Sequence, residues 1–584
     1  MKIIRRPIDP ILFEKAKQSG VSERLAEMIA SRGVPHDHAI DTWLAPSLKH
    51  LSSPHSMQDI EKAATRVAHA VINQEIIGLE TDHDCDGQTS HAVLYEALTA
   101  YFHLPSHCVK SYIGHRLEEG YGLSAKLAAR ILDDDPAPTL LITADNGSSD
   151  EARIALLKEN GMDVIVTDHH AIPMEGIPQS AFAVLNPTRS DCDYPDPYIA
   201  GCYVAWLLMA ATRKTLIDLG YLKADAPHLA GLLDFVAVGT VADCVSLSKS
   251  INNRAIIRYG LKEIAKMKRS VWRSLQPLLK NPPTAEDLGF LVGPLLNSDG
   301  RLSSAMRSVS FLLSETDMEA EAWVTLLQKQ NKNRKAIQKS IVEKGLVEAR
   351  KQNEAGQAGL VIYLPDGHAG VHGIAASKIK DHFGAPCVFL APKFESEGVL
   401  TGSVRGIDGF HVRQALQWVH DQNPTILLSF GGHQGAGGLS LRLDCLSEFT
   451  VLLDAAVRQQ MRPDQLGPVL LTDGPLASEE LSLDFVDTLA ALEPFGRECE
   501  APIFEIQAEI KAIKWMGEDE VHARVDLQMA GKRFSAVWFF ARANKETELP
   551  INVRDQAQVI VSLKAETYRG ERQFKPQIHY LKKI

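Results

Sequence analysis

The chain has 584 residues, of which 45% are hydrophobic and 23% are charged, and its formal net charge is −11 at pH 7. This composition excludes a disordered chain, and the length exceeds what one hydrophobic core supports, so we expect about three or four domains. The acidic balance excludes a protein coated in positive charge. Pro7 and Pro10 interrupt the N-terminal segment, so we predict no signal peptide. The longest apolar run, near residues 203–211, is too short to cross a bilayer, so we predict no transmembrane helix and no membrane partner.

The cysteines are widely spaced and include no Cys-x-x-Cys pair. They occur at positions 85, 108, 192, 202, 244, 387, 445 and 499. Such spacing is not typical of a disulfide framework or of a zinc site. It indicates reduced cysteines and predicts a cytoplasmic protein.

Five segments with different patterns follow one another along the chain. We predict a helical cap at 1–58, an α/β domain at 59–275, a linker with a long helix at 276–355, a second α/β domain at 356–465 and a small β-barrel at 466–584. The long helix is expected between Met318 and about Ala355, a stretch without proline and with one glycine. A helix of that length usually connects separate bodies.

The first α/β segment contains four apolar, β-branched runs that end on acidic or histidine side chains. The runs are Ile76–Glu80, Thr139–Thr143, Val164–Thr167 and Phe235–Val241, and the acids that follow begin at Asp82, Asp145, Asp168 and Asp243. Apolar runs separated by helical stretches are typical of buried strands in a parallel sheet. Ligands of such sheets bind at the carboxyl ends of the strands, so we expect the acids to face one crevice. Crowded carboxylates repel one another, which favours bound divalent cations.

Two of the acidic motifs contain several potential ligands. Asp82, Asp84 and Asp86 precede Gly87, and this motif alone would also fit a calcium-type loop or an acidic helix N-terminus. The Asp168-His169-His170 motif combines carboxylate with imidazole, which suits Mn²⁺ and tolerates Mg²⁺. Taken singly, the other two aspartates could simply cap helices. Together the motifs predict a metal centre.

Two further regions suggest contacts to a phosphorylated polymer. The glycine-rich run at 431–438 is expected to form a backbone concavity that holds a terminal phosphate, although glycine runs are often only loops. The C-terminal barrel offers aromatic side chains for base stacking, although aromatic residues in strands are mostly core. These side chains are Trp515, Phe534, Trp538, Phe539 and Phe540.

The order of the acidic motifs resembles the DHH phosphoesterase superfamily, and further segments resemble the RecJ single-strand exonucleases within it. The similarity extends over about residues 20–505. The segments that carry it are 82–87, 118–124, 145–147, 168–170, 239–243, 293–302, 368–374, 403–405 and 431–433. It implies an α/β fold: a DHH parallel-sheet domain and a DHH-associated α/β domain joined by a long helix, with an OB-like barrel at the C-terminus.

The resemblance implies two Mn²⁺ or Mg²⁺ ions per active site, with Asp145 as the bridging ligand. The implied ligands are Asp84, Asp86, Asp145, His169 and Asp243, with Asp82 as an accessory carboxylate in the metal set. His170 would face the scissile phosphate, and Asp168 would be an accessory carboxylate. The implied catalytic residues are His170, Asp145 and Asp168. The implied substrate-binding residues are Arg116, Tyr121, Asn297, Arg301, His368, Ser403, Arg405, Gly431, Gly432 and His433.

The implied activity is metal-dependent 5′-to-3′ hydrolysis of single-stranded DNA to mononucleotides, in recombination and repair. A single-strand-binding protein and a helicase are the implied partners of a monomer. The chain departs from the family pattern at Leu295, Asp299 and Gly367, and at Glu80, where a small residue is usual. The alternatives are a DHH-family phosphodiesterase for short oligonucleotides or cyclic dinucleotides, an inactive scaffold, and a pyrophosphatase.

Overall fold

The computed structural model describes residues 1–115, 119–302, 304–394, 396–568 and 571–584, without the side chains of residues 301, 302, 567 and 568. The chain forms two compact units. One contains Met1, Ser52–Val245 and Ile256–Pro468, and the other contains Lys2–Leu51, Ser246–Ala255 and Val469–Ile584. The five segment boundaries stay predictions. Among the described residues, no helix has the length and apolar character needed to cross a bilayer.

The N-terminal segment contains one strand and three helices. These elements are β1 (Lys2–Arg5), α1 (Pro10–Gln18), α2 (Glu23–Ala30) and α3 (Ile40–Leu44). Asp9 caps α1 by accepting hydrogen bonds from the N–H groups of Ile11 and Leu12. The strand β1 pairs in parallel with residues 469–472, so this segment belongs to the same unit as the C-terminal strands.

A five-stranded, entirely parallel sheet forms the core of the first unit. Its strands are β2 (Ile77–Thr81), β3 (Val109–Ile113), β4 (Leu140–Ala144), β5 (Asp163–Thr167) and β6 (Ala183–Leu185), in the order β3-β2-β4-β5-β6. The helices of this region are α4 (Ile60–Asn73), α5 (Cys85–Glu96), α6 (Ala125–Leu132), α7 (Glu151–Glu159) and α8 (Gly201–Asp218). Both faces of the sheet are covered, because every residue of β2 and β4 is buried. The predicted parallel α/β fold is confirmed.

The fourth predicted strand is wrong. The run Phe235–Val241 lies in a helix, α9 (Leu233–Ala242), and residues 233–240 of this helix are all buried. A helix that is buried on every side is as continuously apolar as a buried strand, so hydrophobic periodicity does not distinguish them. Asp243 therefore follows a helix rather than a strand.

Helices connect this sheet to the next one. They are α10 (Ile251–Ala265), α11 (Ser270–Leu275), α12 (Ala285–Asp287), α13 (Gly293–Leu302), α14 (Met306–Leu312) and α15 (Asp317–Glu354). The predicted long helix is confirmed in α15, whose 38 residues span about 57 Å at about 1.5 Å per residue. Thr316 begins this helix by accepting a hydrogen bond from the N–H of Glu319.

A second sheet follows α15 within the first unit. Its elements are β7 (Leu360–Tyr363), α16 (His372–Phe383), β8 (Cys387–Pro392), β9 (Val399–Arg405), α17 (Val412–Gln422), β10 (Leu427–Gly432), β11 (Ala436–Arg442) and α18 (Leu446–Gln460). The strand order is β10-β11-β9-β8-β7, in which only β7 and β8 are parallel.

The C-terminal part of the second unit contains a closed five-stranded barrel. Its elements are β12 (Val469–Thr472), α19 (Leu483–Ala490), β13 (Ile503–Met516), β14 (His522–Met529), β15 (Lys532–Trp538), β16 (Gln556–Ser562), β17 (Ala565–Tyr568), β18 (Glu571–Phe574) and β19 (Gln577–Lys583). The barrel closes in the order β13-β14-β15-β19-β16. The prediction of a small β-barrel is confirmed.

Candidate metal centre

The first acidic motif occupies the turn between β2 and α5. Asp84 caps α5 and accepts hydrogen bonds from the N–H groups of Asp86 and Gly87, at 2.9 and 3.2 Å. A Cβ atom at position 87 would clash with the backbone carbonyl of Asp82, so only glycine allows the chain to turn this closely. The turn thereby places three carboxylates within one helical turn of each other.

Asp86 is fully buried and held by the N-terminus of another helix. Its two carboxylate oxygens accept hydrogen bonds from the N–H groups of Gly201 and Cys202, at 2.7 and 3.0 Å. Both donors belong to the first turn of α8, where the N–H groups and the helix dipole favour an anion. Asp86 is therefore fixed in position before any ligand binds.

Asp145 follows β4 and adopts a left-handed backbone conformation, with φ of 63°. Its N–H donates to the carbonyl of Thr167 at the end of β5, which fixes the turn. Gly201 approaches closely, since a Cβ atom there would lie 2.8 Å from Asp145 Oδ1. An aspartate in this conformation is uncommon and indicates that the surrounding structure imposes it.

Asp168 orients the second histidine of its motif. Its Oδ1 accepts hydrogen bonds from the N–H groups of His169 and His170 and lies 2.8 Å from His170 Nδ1, while Oδ2 accepts from Ser148 N–H. Burial raises the pKa of Asp168, but its hydrogen bond to His170 and the charge of that residue outweigh this effect and lower it. Burial lowers the pKa of His170, but Asp168 raises it more strongly, to about 10.

Asp243 reaches the site from the C-terminal end of α9. Its N–H donates to the carbonyl of Gly239, one turn earlier in the helix. Gly239 packs directly on the site, because a Cβ atom there would lie 2.7 Å from Asp86 Oδ1 and 2.5 Å from Cys202 Sγ. The glycine therefore lets α9 approach α8 and α5 closely enough to bring Asp243 to the other acids.

Among the described residues, the ligand atoms form three overlapping groups, in each of which all atoms lie within 4.8 Å of one another. The groups are Asp82, Asp84 and Asp145; Asp145, His169 and His170; and Asp86, His169 and Asp243. His169 Nε2 lies 3.2 Å from Asp145 Oδ1 and 3.6 Å from Asp243 Oδ2. Asp145 and His169 each belong to two groups.

The donor set fits a divalent cation. Asp145 Oδ1 and His169 Nε2 are buried and close together, but neither forms a hydrogen bond within the described part of the chain, although buried polar atoms are normally paired. The donor set consists mainly of carboxylates, with imidazole and without thiolate, and such oxygen-rich sets suit Mn²⁺ and Mg²⁺. Seven of the eight predicted metal and catalytic residues belong to the three groups, and the eighth, Asp168, is hydrogen-bonded to His170.

The electrostatics of these carboxylates also favour a cation. Burial and the neighbouring charges of Asp82 and Asp86 raise the pKa of Asp84. Burial and the surrounding aspartates raise the pKa of Asp145 well above its usual value. Such repulsion between carboxylates is relieved when a cation binds.

Glu80 contributes a further buried carboxyl group behind the site. Asn146 Nδ2 donates to Glu80 Oε1 at 3.1 Å, and Glu80 is 1% exposed. Burial, followed by the nearby charge of Asp150, raises the pKa of Glu80 well above its usual value. The family departure at position 80 is thus accommodated by the asparagine that follows Asp145.

Two predicted substrate-binding residues lie beside the acidic turn. Tyr121 is 63% exposed, and the centroid of its ring lies 4.9 Å from that of the His83 ring. Asn297 on α13 accepts a hydrogen bond from the N–H of Cys85 at 2.9 Å, so its side-chain oxygen supports the turn. Arg116 and the side chain of Arg301 lie outside the described residues.

Other predicted substrate-binding residues cluster in the second sheet. A Cβ atom at Gly373, in the first turn of α16, would lie 2.5 Å from Arg405 Nη2 and 3.7 Å from Ser403 Oγ. Ser403 and Arg405 therefore lie side by side near a helix N-terminus. His368 precedes the 3₁₀ turn before α16 and accepts a hydrogen bond from Gly370 N–H at 3.1 Å.

The glycine-rich run, which is expected to form a backbone concavity, lies in the hairpin of β10 and β11. Gly431 pairs with Gly438 and Gly432 with Gly437 across β10 and β11. The N–H of His433 donates to the carbonyl of Ala436, and Gly435 N–H donates to His433 Nδ1. A glycine-rich sequence is compatible with a two-stranded ladder as well as with a loop, and the sequence pattern alone did not distinguish them.

The barrel places some of the predicted stacking residues at its surface. Phe539 and Phe540 are 50% and 78% exposed, and both rings contact that of His522. The guanidinium of Arg542 lies 3.7 Å from the ring centroid of Trp515. Phe534 and Trp538 are half-buried.

Several residues that fix the site were not predicted. The backbone N–H groups of Ser148, Gly201 and Cys202 hold Asp168 and Asp86. A backbone N–H donor cannot be recognised from the sequence, because every residue except proline carries this group. The glycines at positions 201 and 239 were the available signal in the sequence, but the close approach of the helices there is visible only in the structure.

Comparison with known proteins decides the family. Three protein-family models match the chain. The family model described as "DHH family, N-terminal domain" matches residues 76–240, that of the DHHA1 domain matches 356–459, and that of the RecJ OB domain matches 472–580. The single-stranded-DNA-specific exonuclease RecJ of Haemophilus influenzae is 32% identical over 548 residues, covering 92% of this chain and 93% of that protein. The chain belongs to the RecJ family.

Other RecJ proteins give the same result. The Escherichia coli RecJ is 32% identical over 561 residues, covering 94% of each chain. Among solved structures, RecJ of Thermus thermophilus in complex with Mn²⁺ matches with a TM-score of 0.79 and 25% identity, covering all of this chain and 79% of that one. The DHH domain, the DHH-associated domain and the OB domain therefore occur in the order implied by the motifs.

Proposed function

We propose that this protein is a metal-dependent exonuclease that hydrolyses single-stranded DNA in the 5′-to-3′ direction to mononucleotides, in DNA recombination and repair. The observation that carries the proposal is the convergence of three groups of ligand atoms in a chain of the RecJ family. Its RecJ relatives are single-stranded-DNA-specific exonucleases, and the Thermus thermophilus relative was solved with Mn²⁺. The polarity comes from the family.

The cofactor is a divalent cation, and we assign two ions to each active site. Asp82, Asp84, Asp86, Asp145, His169 and Asp243 would hold them. The sharing of Asp145 between two groups of ligand atoms supports its role as the bridge. When bound, such ions lower the pKa of a water molecule and neutralise charge on the phosphate oxygens.

The chain itself supplies orientation and a hydrogen-bond donor. Asp168 fixes the ring of His170, whose side chain is 60% exposed and so can reach a phosphate. With Nδ1 facing Asp168, Nε2 is left to donate a hydrogen bond to a non-bridging phosphate oxygen. The N-terminus of α8 holds Asp86, so no reorganisation of that carboxylate is required during the reaction.

Selectivity for a DNA strand is assigned to residues beyond the metal ligands. Ser403 and Arg405, together with His368, Gly431, Gly432 and His433, would bind backbone phosphates from the second sheet. Tyr121, which is 63% exposed, would contact a base or sugar near the scissile bond, and Asn297 would support the acidic turn. Arg116 and Arg301 complete the proposed set. We also propose a single-strand-binding protein and a helicase as partners. A monomeric state and a cytoplasmic location are further proposals.

The test measures metal binding and hydrolysis in the same preparations. Titration calorimetry with Mn²⁺ should give two ions per wild-type chain and fewer for Asp145→Asn. Wild-type protein should release mononucleotides from a single strand but not from a blunt duplex of the same sequence, and EDTA should abolish release. Hydrolysis of dinucleotides without degradation of long strands would instead favour a phosphodiesterase for short oligonucleotides.

A further inference from the structure

The long helix α15 has a buried stripe that changes character at its midpoint. The stripe is apolar near the start, at Ala320, Val324 and Leu327, and again near the end, at Ile341, Gly345 and Ala349. Between these two parts the buried positions are Arg334 and Gln338. A helix that only packed against a core would continue its apolar stripe through the middle.

The two apolar parts of α15 contact different bodies of the first unit. At the start, Arg273 of α11 binds Asp317. The helix α15 also packs against α13 and α14. At the end, Ile341 and Ala349 pack in the core of the second sheet with Leu360 and Ile379. The polar midpoint is therefore where the helix passes from one body to the other.

Both bodies bring predicted substrate-binding residues to this helix. The helix α13 carries Asn297, and it contacts α15 and the 3₁₀ turn Ala369–Val371. That turn follows His368 directly and also contacts α15. The helix α15 thus contacts both the helix that carries Asn297 and the turn that follows His368.

Arg334 is a buried cation whose charge is not neutralised. It is 6% exposed, and its guanidinium donates to Asn331 Oδ1 and Gln338 Oε1, both on its own helix. Among the described residues it forms no ion pair with a carboxylate. Burial lowers its pKa, and no nearby acid counteracts this effect. Buried charges in proteins are normally paired, so this arrangement indicates an anion that completes the site.

The surrounding sequence is also strongly basic for a chain of net charge −11. From Ala322 to Val342 there is no aspartate or glutamate, whereas there are five basic residues: Lys329, Lys332, Arg334, Lys335 and Lys339. The four lysines are exposed, and Arg334 is held in the buried stripe by two amide side chains. This is the local positive patch expected where an acidic protein binds a polyanion.

We propose that Arg334, held in place by Asn331 and Gln338, binds a backbone phosphate of the single-stranded DNA substrate, and that the neighbouring lysines attract the strand to it. The inference rests on the proposed function and adds a binding residue that lies outside the recognised motifs. A planar guanidinium that is already held by neutral amides can form two parallel hydrogen bonds to a phosphate with little further ordering.

The test compares Arg334→Met with Arg350→Met, an exposed arginine near the end of the same helix. Binding of a Mn²⁺-loaded protein to a fluorescent single strand is measured at several salt concentrations, together with KM and kcat. Arg334→Met should raise Kd and KM by about tenfold, with a smaller effect on kcat. The slope of log K against log salt should fall by about 0.7, the value for one phosphate contact to a single strand. Arg350→Met should match wild type.

Thermal melting separates a binding role from a structural one. Removal of an unpaired buried charge should leave the Tm of Arg334→Met equal to or above that of wild type. A lower Tm with unchanged Kd and salt slope would overturn the proposal and make Arg334 a structural residue. If the wild-type protein itself neither binds nor degrades single strands, the proposed function fails, whereas an active wild type with an equally active Arg334→Met refutes only this inference.

Discussion

The side-chain oxygen of Asn297 accepts a hydrogen bond from the backbone N–H of Cys85 at 2.9 Å, across 212 residues of sequence. Cys85 lies between Asp84 and Asp86, so this bond connects the acidic turn to α13. A residue expected to contact substrate therefore also holds the metal-binding turn in place.

Replacement of Asn297 by alanine should leave the Cys85 N–H without its partner. We expect the free energy of unfolding to fall by about 1–3 kcal/mol, the cost of an unsatisfied buried donor, and the half-saturating Mn²⁺ concentration to rise. Denaturant unfolding and Mn²⁺ titration measure the two effects. Asn160→Ala, at an exposed helix end, should change neither. Wild-type metal affinity in Asn297→Ala would show that the turn does not depend on this bond.

The crowded carboxylates make the stability of the metal-free protein depend on pH. The pKa of Asp145 is raised in the folded state, so its contribution to stability is greatest below the unfolded pKa of about 4 and is lost as the pH rises through the folded value. Metal-free Asp145→Asn should therefore melt at a higher temperature than metal-free wild type at pH 8. Mn²⁺ should stabilise wild type more than the variant, because binding favours the folded state. Equal melting temperatures of the two metal-free proteins at pH 8 would show that repulsion between the carboxylates does not destabilise the metal-free protein.

The two adjacent glycines at the end of β10 should respond differently to alanine. Gly432 has φ of 136°, and a Cβ atom there would clash with the carbonyl of Ala436, whereas a Cβ atom at Gly431 meets no atom within 4 Å. We expect Gly432→Ala to destabilise the protein by about 1–3 kcal/mol and Gly431→Ala to cost less than about 0.5 kcal/mol. Equilibrium unfolding in urea gives both values, and equal losses would argue against the hairpin geometry.

Phe540 is the most exposed of the aromatic residues predicted to stack on bases. Phe540→Ala should weaken binding of a single strand by about 1–3 kcal/mol, the typical value for one stacked base, without lowering Tm. Fluorescence anisotropy with a labelled oligonucleotide provides the affinity. Val553→Ala, also exposed in the second unit, is the matched control. Unchanged affinity in Phe540→Ala would remove this residue from the proposed DNA path.

The sequence predicted those parts of the fold in which local pattern and burial agree. Strands β2, β4 and β5 are short, apolar and followed by acids, and the long helix lacks proline, so each was recognisable from its own residues. The run at 235–241 was not, because a helix buried on all sides has no polar face to show its period. The hairpin at 427–442 was missed because its glycines suggested a loop.

The acidic side chains of the candidate site were predicted from the sequence, but the backbone N–H groups that hold them in place were not. Asp84, Asp145 and His169 belong to compact motifs, whereas the N–H groups of Gly201 and Cys202 act through backbone atoms that any residue provides. The only sequence feature that pointed to Arg334 was the absence of aspartate and glutamate from the surrounding segment, Ala322–Val342. Its burial depends on how α15 packs, which no local pattern contains.

The most direct test of the central claim is digestion of one oligonucleotide labelled separately at its 5′ and 3′ ends, with Mn²⁺, by wild type and by Asp145→Asn. Wild type should release the 5′ label at once as a mononucleotide while the 3′ label stays on shortening strands, and the variant should release neither. Early loss of the 3′ label, cleavage at internal positions or full activity in the variant would contradict a 5′-to-3′ exonuclease that depends on this metal centre.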